Sequence, residues 1–212
     1  MARSTRVKKT SSTKFKWTKE LIIFLSVLCL AIILTIVCLI PTKKEKFYSE
    51  FSDAATAASA TALPEDHVFS YISYKDLLKK KRNADEESPL FVLYGSANDS
   101  TTISNISNLN TKADDYGVEH IYILKCDFAM KTDTDDKDEL KFVEDREEEL
   151  GVEDLFTYCQ LWVFENDKLV FNSYDVLEDD GVETAPDFAF AVYKCFSQYS
   201  PKALELKSTK EN

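Results

Sequence analysis

Glycine is scarce in this chain: four in 212 residues, each isolated from the others. A loop that cradles phosphate with backbone amides needs closely spaced glycines, so a nucleotide-binding loop of that kind is excluded. Histidine is scarcer still. His67 and His120 stand alone, with no Cys/His cluster that could hold zinc. There are five cysteines, and no two have Cys-x-x-Cys spacing. Cys29 and Cys38 lie in an apolar run, where cysteine acts as a small apolar residue. Cys126, Cys159 and Cys195 are odd in number and far apart, which does not describe a disulfide scaffold. No internal repeat is present.

Charge is abundant and unevenly spread. Residues 1–40 carry seven basic residues (Arg3, Arg6, Lys8, Lys9, Lys14, Lys16, Lys19) against one acid, Glu20, although the chain as a whole is at -11. The remainder is therefore strongly acidic and would repel nucleic acid, so the basic arm does not argue for DNA or RNA binding. Leu21 to Ile40 is apolar apart from Ser26 and Thr35. That length matches the ~20 residues of a membrane-crossing helix. A signal peptide would have a shorter apolar region and a small-residue cleavage site. Pro41-Thr42-Lys43-Lys44 follows directly, and the run Ala54 to Ala60 lies too far away to serve. The expectation is a basic cytoplasmic arm (1–20), a single transmembrane helix (21–40), a tether (41–63), an extracytoplasmic domain (64–200) and a C-terminal tail (201–212). The positive-inside bias puts the N-terminus in the cytoplasm and the domain outside the cell membrane, with the bilayer as partner of residues 21–40.

Within 64–200 the apolar period switches repeatedly. Val68–Ile72 alternates as a strand, and Ser73-x-x-Asp76 caps a helix running to about Lys81. Leu90–Tyr94 is a continuous apolar run, as in a strand covered on both faces. Ile103, Ile106, Leu109, Ala113 and Tyr116 recur at helical spacing, with Gly117 as the C-terminal cap. His120–Asp127 reads as another buried strand. Asp133, Asp135 and Asp136 open an acidic loop before a helix that ends at Gly151. Asp133 and Glu144 mimic the ends of an EF-hand loop, but Lys137 and Asp138 spoil the fifth and sixth positions, so a solvated loop is expected. Cys159–Phe164, the turn Asn166-Asp167 and Lys168–Phe171 form a hairpin. Thr184-x-x-Asp187 caps a last helix carrying Phe188, Val192, Phe196 and Tyr199. Alternating strands and helices followed by a hairpin and helix predict an α/β fold with a mixed sheet flanked by helices.

These elements, with Phe91-Val92-Leu93-Tyr94-Gly95 and Leu161 to Val170, resemble the thioredoxin superfamily. They are similar in particular to the thioredoxin-like and bacteriocin transport accessory proteins of low-GC Gram-positive bacteria. The resemblance implies a Cys-x-x-Cys after Gly95, where Asn98 and Thr101 stand instead. It implies a cis-proline where Cys159 stands, and a non-proline residue there is expected to be trans, because cis costs ~3–4 kcal/mol. Dithiol exchange needs thiolates, so that chemistry does not carry over. What remains is a binding face of Ala97, Asn98, Asp99, Ser100, Thr101, Tyr158, Cys159 and Gln160. At that face Asp99 or Ser100 is expected to cap the helix.

The function expected from the sequence is a non-catalytic, membrane-anchored, protein-binding module, chaperone-like or secretion-accessory in role. It has no catalytic residue, cofactor or metal, and its protein partner is unnamed. Two alternatives stand beside it. One is a monothiol redox protein using Cys159, whose thiol would gain acidity at a helix N-terminus. The other is a structural subunit of a membrane assembly.

Overall fold

The computed structural model describes residues 18–125, 137–157, 159–179 and 186–209. The chain divides into two compact units, residues 1–41 and 42–212. In the first unit the described element is α1 (Lys19–Leu39). Here the expected transmembrane helix is corrected. Among the described residues no helix is long and apolar enough to cross a membrane. Two polar residues, Ser26 and Thr35, interrupt its apolar run. Ser26 and Thr35 turn their hydroxyls onto the carbonyls of Ile22 and Ala31 within that stretch. The single-pass, cell-membrane placement rested on this segment and goes with it.

The second unit is an α/β domain on a five-stranded mixed sheet. Its strands are β1 (Phe69–Ile72), β2 (Leu90–Gly95), β3 (Ile121–Lys125), β4 (Gln160–Glu165) and β5 (Lys168–Asn172), ordered β1-β3-β2-β4-β5. β1 and β2 both run parallel to β3, while β4 runs antiparallel to β2 and to β5. Each parallel step needs a helical crossover, which is why the helices alternate with the first strands. The β4–β5 turn is tight because Asn166 and Asp167 both adopt positive φ, at 51° and 63°.

Strand alternation splits the core into two layers. On one face Phe69, Tyr71, Phe91, Leu93, Ile121, Ile123, Leu161 and Val163 pack with α4 (Ser100–Tyr116) and α7 (Pro186–Tyr199). On the other, Val92, Tyr94, Trp162 and Phe164 meet α3 (Tyr74–Lys81) and α5 (Lys137–Leu150). Tyr94 and Trp162 stack at 5.1 Å between ring centres. The Ser73 cap of α3 and the Gly117 and Gly151 turns after α4 and α5 stand where the sequence places them. Cys126, Asp133, Asp135 and Thr184 lie outside the described residues.

The sequence reading leaves residues 43–58 in a tether, and they form α2 (Lys43–Ala58). A complete capping box starts it: Thr42 accepts the Glu45 amide and the Glu45 carboxylate accepts the Thr42 amide. Phe47, Phe51 and Ala55, spaced four apart, are buried, and the two phenylalanines pack on the sheet face of Phe69 and Tyr71. Two short helices also join the body, α6 (Ser173–Asp179) and α8 (Pro201–Ser208). α8 is capped by the buried Ser200.

Candidate functional site

The carboxyl ends of β1, β3 and β2 lie side by side, the part of an open α/β sheet where crevices form. A cleft of about 740 Å³ opens there between α2 and the β2–α4 turn. Ser96, Ala97, Asn98 and Ile103 line one side, Glu50, Asp53, Ala54, Ala57 and Ala58 the other, with Lys125 at the end of β3. Of the residues singled out in the sequence, Ala97 and Asn98 therefore border a concave surface. Ser100 and Thr101 are exposed on the first turn of α4.

Asp99 fixes that turn. It is the N-cap of α4, and its carboxylate accepts the Thr101 amide at 3.3 Å, the Thr102 amide at 2.6 Å and the Thr102 hydroxyl at 2.5 Å. The amides that could have held an anion are thereby taken up by the chain's own side chain. Thr102 is fully buried and lies against Gly95, where a Cβ would come within 2.6 Å of its Oγ1 and 2.9 Å of its Cγ2. Gly95 is thus required by close approach of α4 to the end of β2. Gly95→Ala is expected to cost ~1–3 kcal/mol, as overpacking does. Thr102→Ala in the same chain should recover part of the loss, which denaturant midpoints will show.

Cys159 and Gln160 are brought to the same end of the sheet but face inward. Gln160 pairs with Tyr94 across β4–β2, and one step further the register sets Cys159 opposite Gly95. Cys159 is 5 % exposed and belongs to the apolar layer that also contacts Ala97. Its φ of 62° is in the left-handed region, a conformation that only firm surroundings impose on a non-glycine residue. Gln160 is 1 % exposed. Its amide donates to the Asp154 and Thr157 carbonyls and accepts from the Trp162 indole, so it ties the 151–157 loop to the sheet. Tyr94 adds a hydroxyl bond to the Leu155 carbonyl. Tyr158, and with it the peptide bond to Cys159, lies outside the described residues. Cys195 is a core residue whose thiol is pushed up by burial.

The α2 wall was not legible as part of a site, because residues 43–58 read as a tether. The signals were present in Thr42-x-x-Glu45 and in the four-residue spacing of Phe47, Phe51 and Ala55. At the cleft floor Glu50 accepts from Lys125 at 2.6 Å and from the Tyr71 hydroxyl at 2.5 Å. Lys125 also sits 4.2 Å from the centre of the Tyr71 ring. Burial opposes the charge on Glu50, but these two hydrogen bonds and the Lys125 and Lys46 charges outweigh it and hold the carboxyl below its usual value. The group is an anchored carboxylate rather than a poised acid. Among the described residues no cluster of three or more His, Cys, Asp or Glu could hold a metal ion.

Comparison with protein-family models, with curated proteins and with solved structures finds no match to this chain.

Proposed function

We propose that the chain is a thioredoxin-like, non-catalytic binding module that holds a segment of a partner protein in the cleft between α2 and the β2–α4 turn. The observation that carries this reading is the position of Ala97 and Asn98. They line a cleft of about 740 Å³ at the carboxyl ends of the parallel strands, within the ~300–1,000 Å³ range of ligand sites. The chemistry of the surrounding residues supports binding rather than electron transfer. Asn98 and Thr101 hold no sulfur, and the Cys159 side chain is directed into the apolar layer. The element order and the mixed sheet are those that the thioredoxin-like resemblance implies.

A photo-crosslinking residue at position 98 of the full chain, expressed in its native cells, is expected to give a discrete adduct. Ala57→Arg fills the cleft from the α2 side without disturbing the core, since Ala57 is exposed. It should reduce the adduct at least about tenfold, while Cys159→Ser leaves it within about twofold. The purified chain should also fail to reduce insulin disulfides. Loss of the adduct on Cys159→Ser, with full retention on Ala57→Arg, would establish thiol chemistry in place of cleft binding.

A further inference from the structure

On the other side of Lys125 lies a second cavity, of about 480 Å³, at the carboxyl ends of β1 and β3. Its walls are mainly apolar and aromatic: Tyr71, Ile72, Tyr74 and Leu124. Its rim carries three lysines from two separate elements, Lys43 and Lys46 of α2 and Lys125 of β3. In a chain of net charge -11 this is a local reversal of sign. Two of the ammonium groups are answered by carboxylates: Lys43 by Asp76 at 3.3 Å and Lys125 by Glu50 at 2.6 Å. Among the described residues Lys46 has no carboxylate within salt-bridge distance, and its charge reaches Glu50 only through space. The rim therefore has one positive charge in excess over an apolar interior.

We propose that this cavity is a binding site for an organic monoanion with an apolar body, an aliphatic carboxylate, whose head group meets Lys46 while its chain lies against Tyr71, Ile72, Tyr74 and Leu124. The charge balance selects one negative charge: a dianion would leave a second charge without a partner. The walls select the apolar body, because a small inorganic anion would leave those side chains wet and gain nothing from them. The cavity meets the cleft proposed for the partner protein at Lys125, which lines both, but neither reading depends on the other.

The test uses the full chain and decanoate, titrated by calorimetry at low ionic strength, with 1-decanol as the uncharged counterpart. One saturable site is expected for decanoate, with binding at least about tenfold tighter than for decanol. Lys46→Glu should weaken decanoate at least about tenfold, whereas Lys46→Arg should stay within about threefold. Lys168→Glu, on the opposite edge strand, controls for net charge and should leave binding unchanged. Lys46 is exposed, so its replacement leaves the core intact, and a matching thermal transition will verify this. Equal binding of decanol and decanoate, equal effects of Lys46→Glu and Lys168→Glu, or no saturable binding would each overturn the assignment.

Discussion

A fragment that starts at Pro64 is expected to lose cooperative unfolding, while one that starts at Thr42 keeps it. The difference lies in α2. Phe47 and Phe51 are fully buried, their rings are 4.3 Å apart, and Phe47 packs against Phe69 and Tyr71 at 5.3 Å each. Truncating a buried Phe to Ala costs ~3–5 kcal/mol. Removing both, with Ala55 and the Glu50 bonds to Tyr71 and Lys125, costs on the order of 6–10 kcal/mol, comparable with the ~5–15 kcal/mol that holds a whole domain. The face of β1 would also be opened to water, and among the described residues β1 is an edge strand whose one neighbour is β3. Chemical denaturation of 42–209 and 64–209, followed by tryptophan fluorescence of the buried Trp162, tests this. Equal midpoints and slopes would show that α2 is an ornament on a self-sufficient body. In the full chain Phe51→Ala alone should lower stability by ~3–5 kcal/mol.

Elements marked by both period and punctuation were legible in the sequence. Leu90–Tyr94 and Leu161–Phe164 have to be interior strands because no polar face interrupts them, and β2 and β4 are the neighbours at the sheet centre. Ser73 and Gly117 delimit helices by local hydrogen bonding, which needs no tertiary information. α2 was not legible as a packed helix because most of its surface is polar and its Ala-rich end carries little apolar bulk. Its partner is a sheet face formed by residues 20 to 70 positions further on. The candidate site was half legible for the same reason. Ala97 and Asn98 follow β2 directly, so a strand-to-helix turn could be read there. Glu50, Asp53 and Ala57 reach the cleft only through the docking of α2. Gln160 read as part of a binding face by its position, but the Asp154 and Thr157 carbonyls that engage its amide come from a turn with no sequence period. The apolar content of the N-terminal run was legible, and the span inferred from it is what the described helix does not support.

Acidification from about pH 6.5 to about pH 4.5 is expected to remove on the order of 2 kcal/mol of stability through His67. This residue is 2 % exposed and lies in an aromatic box of Phe47, Tyr48 and Phe69, between α2 and β1. Its Nδ1 accepts the Phe69 amide at 3.1 Å, so the proton sits on Nε2, which is buried and has no partner among the described residues. Burial, followed by the Lys44 charge, pushes its pKa down from 6.5 to about 4 against the opposing pull of Asp66. Lys44 and Asp66, themselves paired at 3.5 Å, are the charged groups that face the ring. Between those two pH values the unfolded chain binds a proton that the folded chain refuses. Stability is therefore full above about pH 6.5 and falls as the pH drops toward 4, by ~1.4 kcal/mol for each pH step over which only the unfolded chain is protonated. Glu45, Glu50 and Asp76, whose carboxyls are held low, add their own losses only at lower pH. Because His67 packs on Phe47 and Tyr48, the element released first should be α2, one wall of the cleft. His67→Asn keeps an acceptor for the Phe69 amide and removes the titration. Its stability should be lower at neutral pH but nearly flat from about pH 6.5 to about pH 4.5, and hydrogen exchange in α2 should lose its acid dependence. Parallel stability–pH profiles for the two chains would show that His67 is not the titrating group that holds α2 in place.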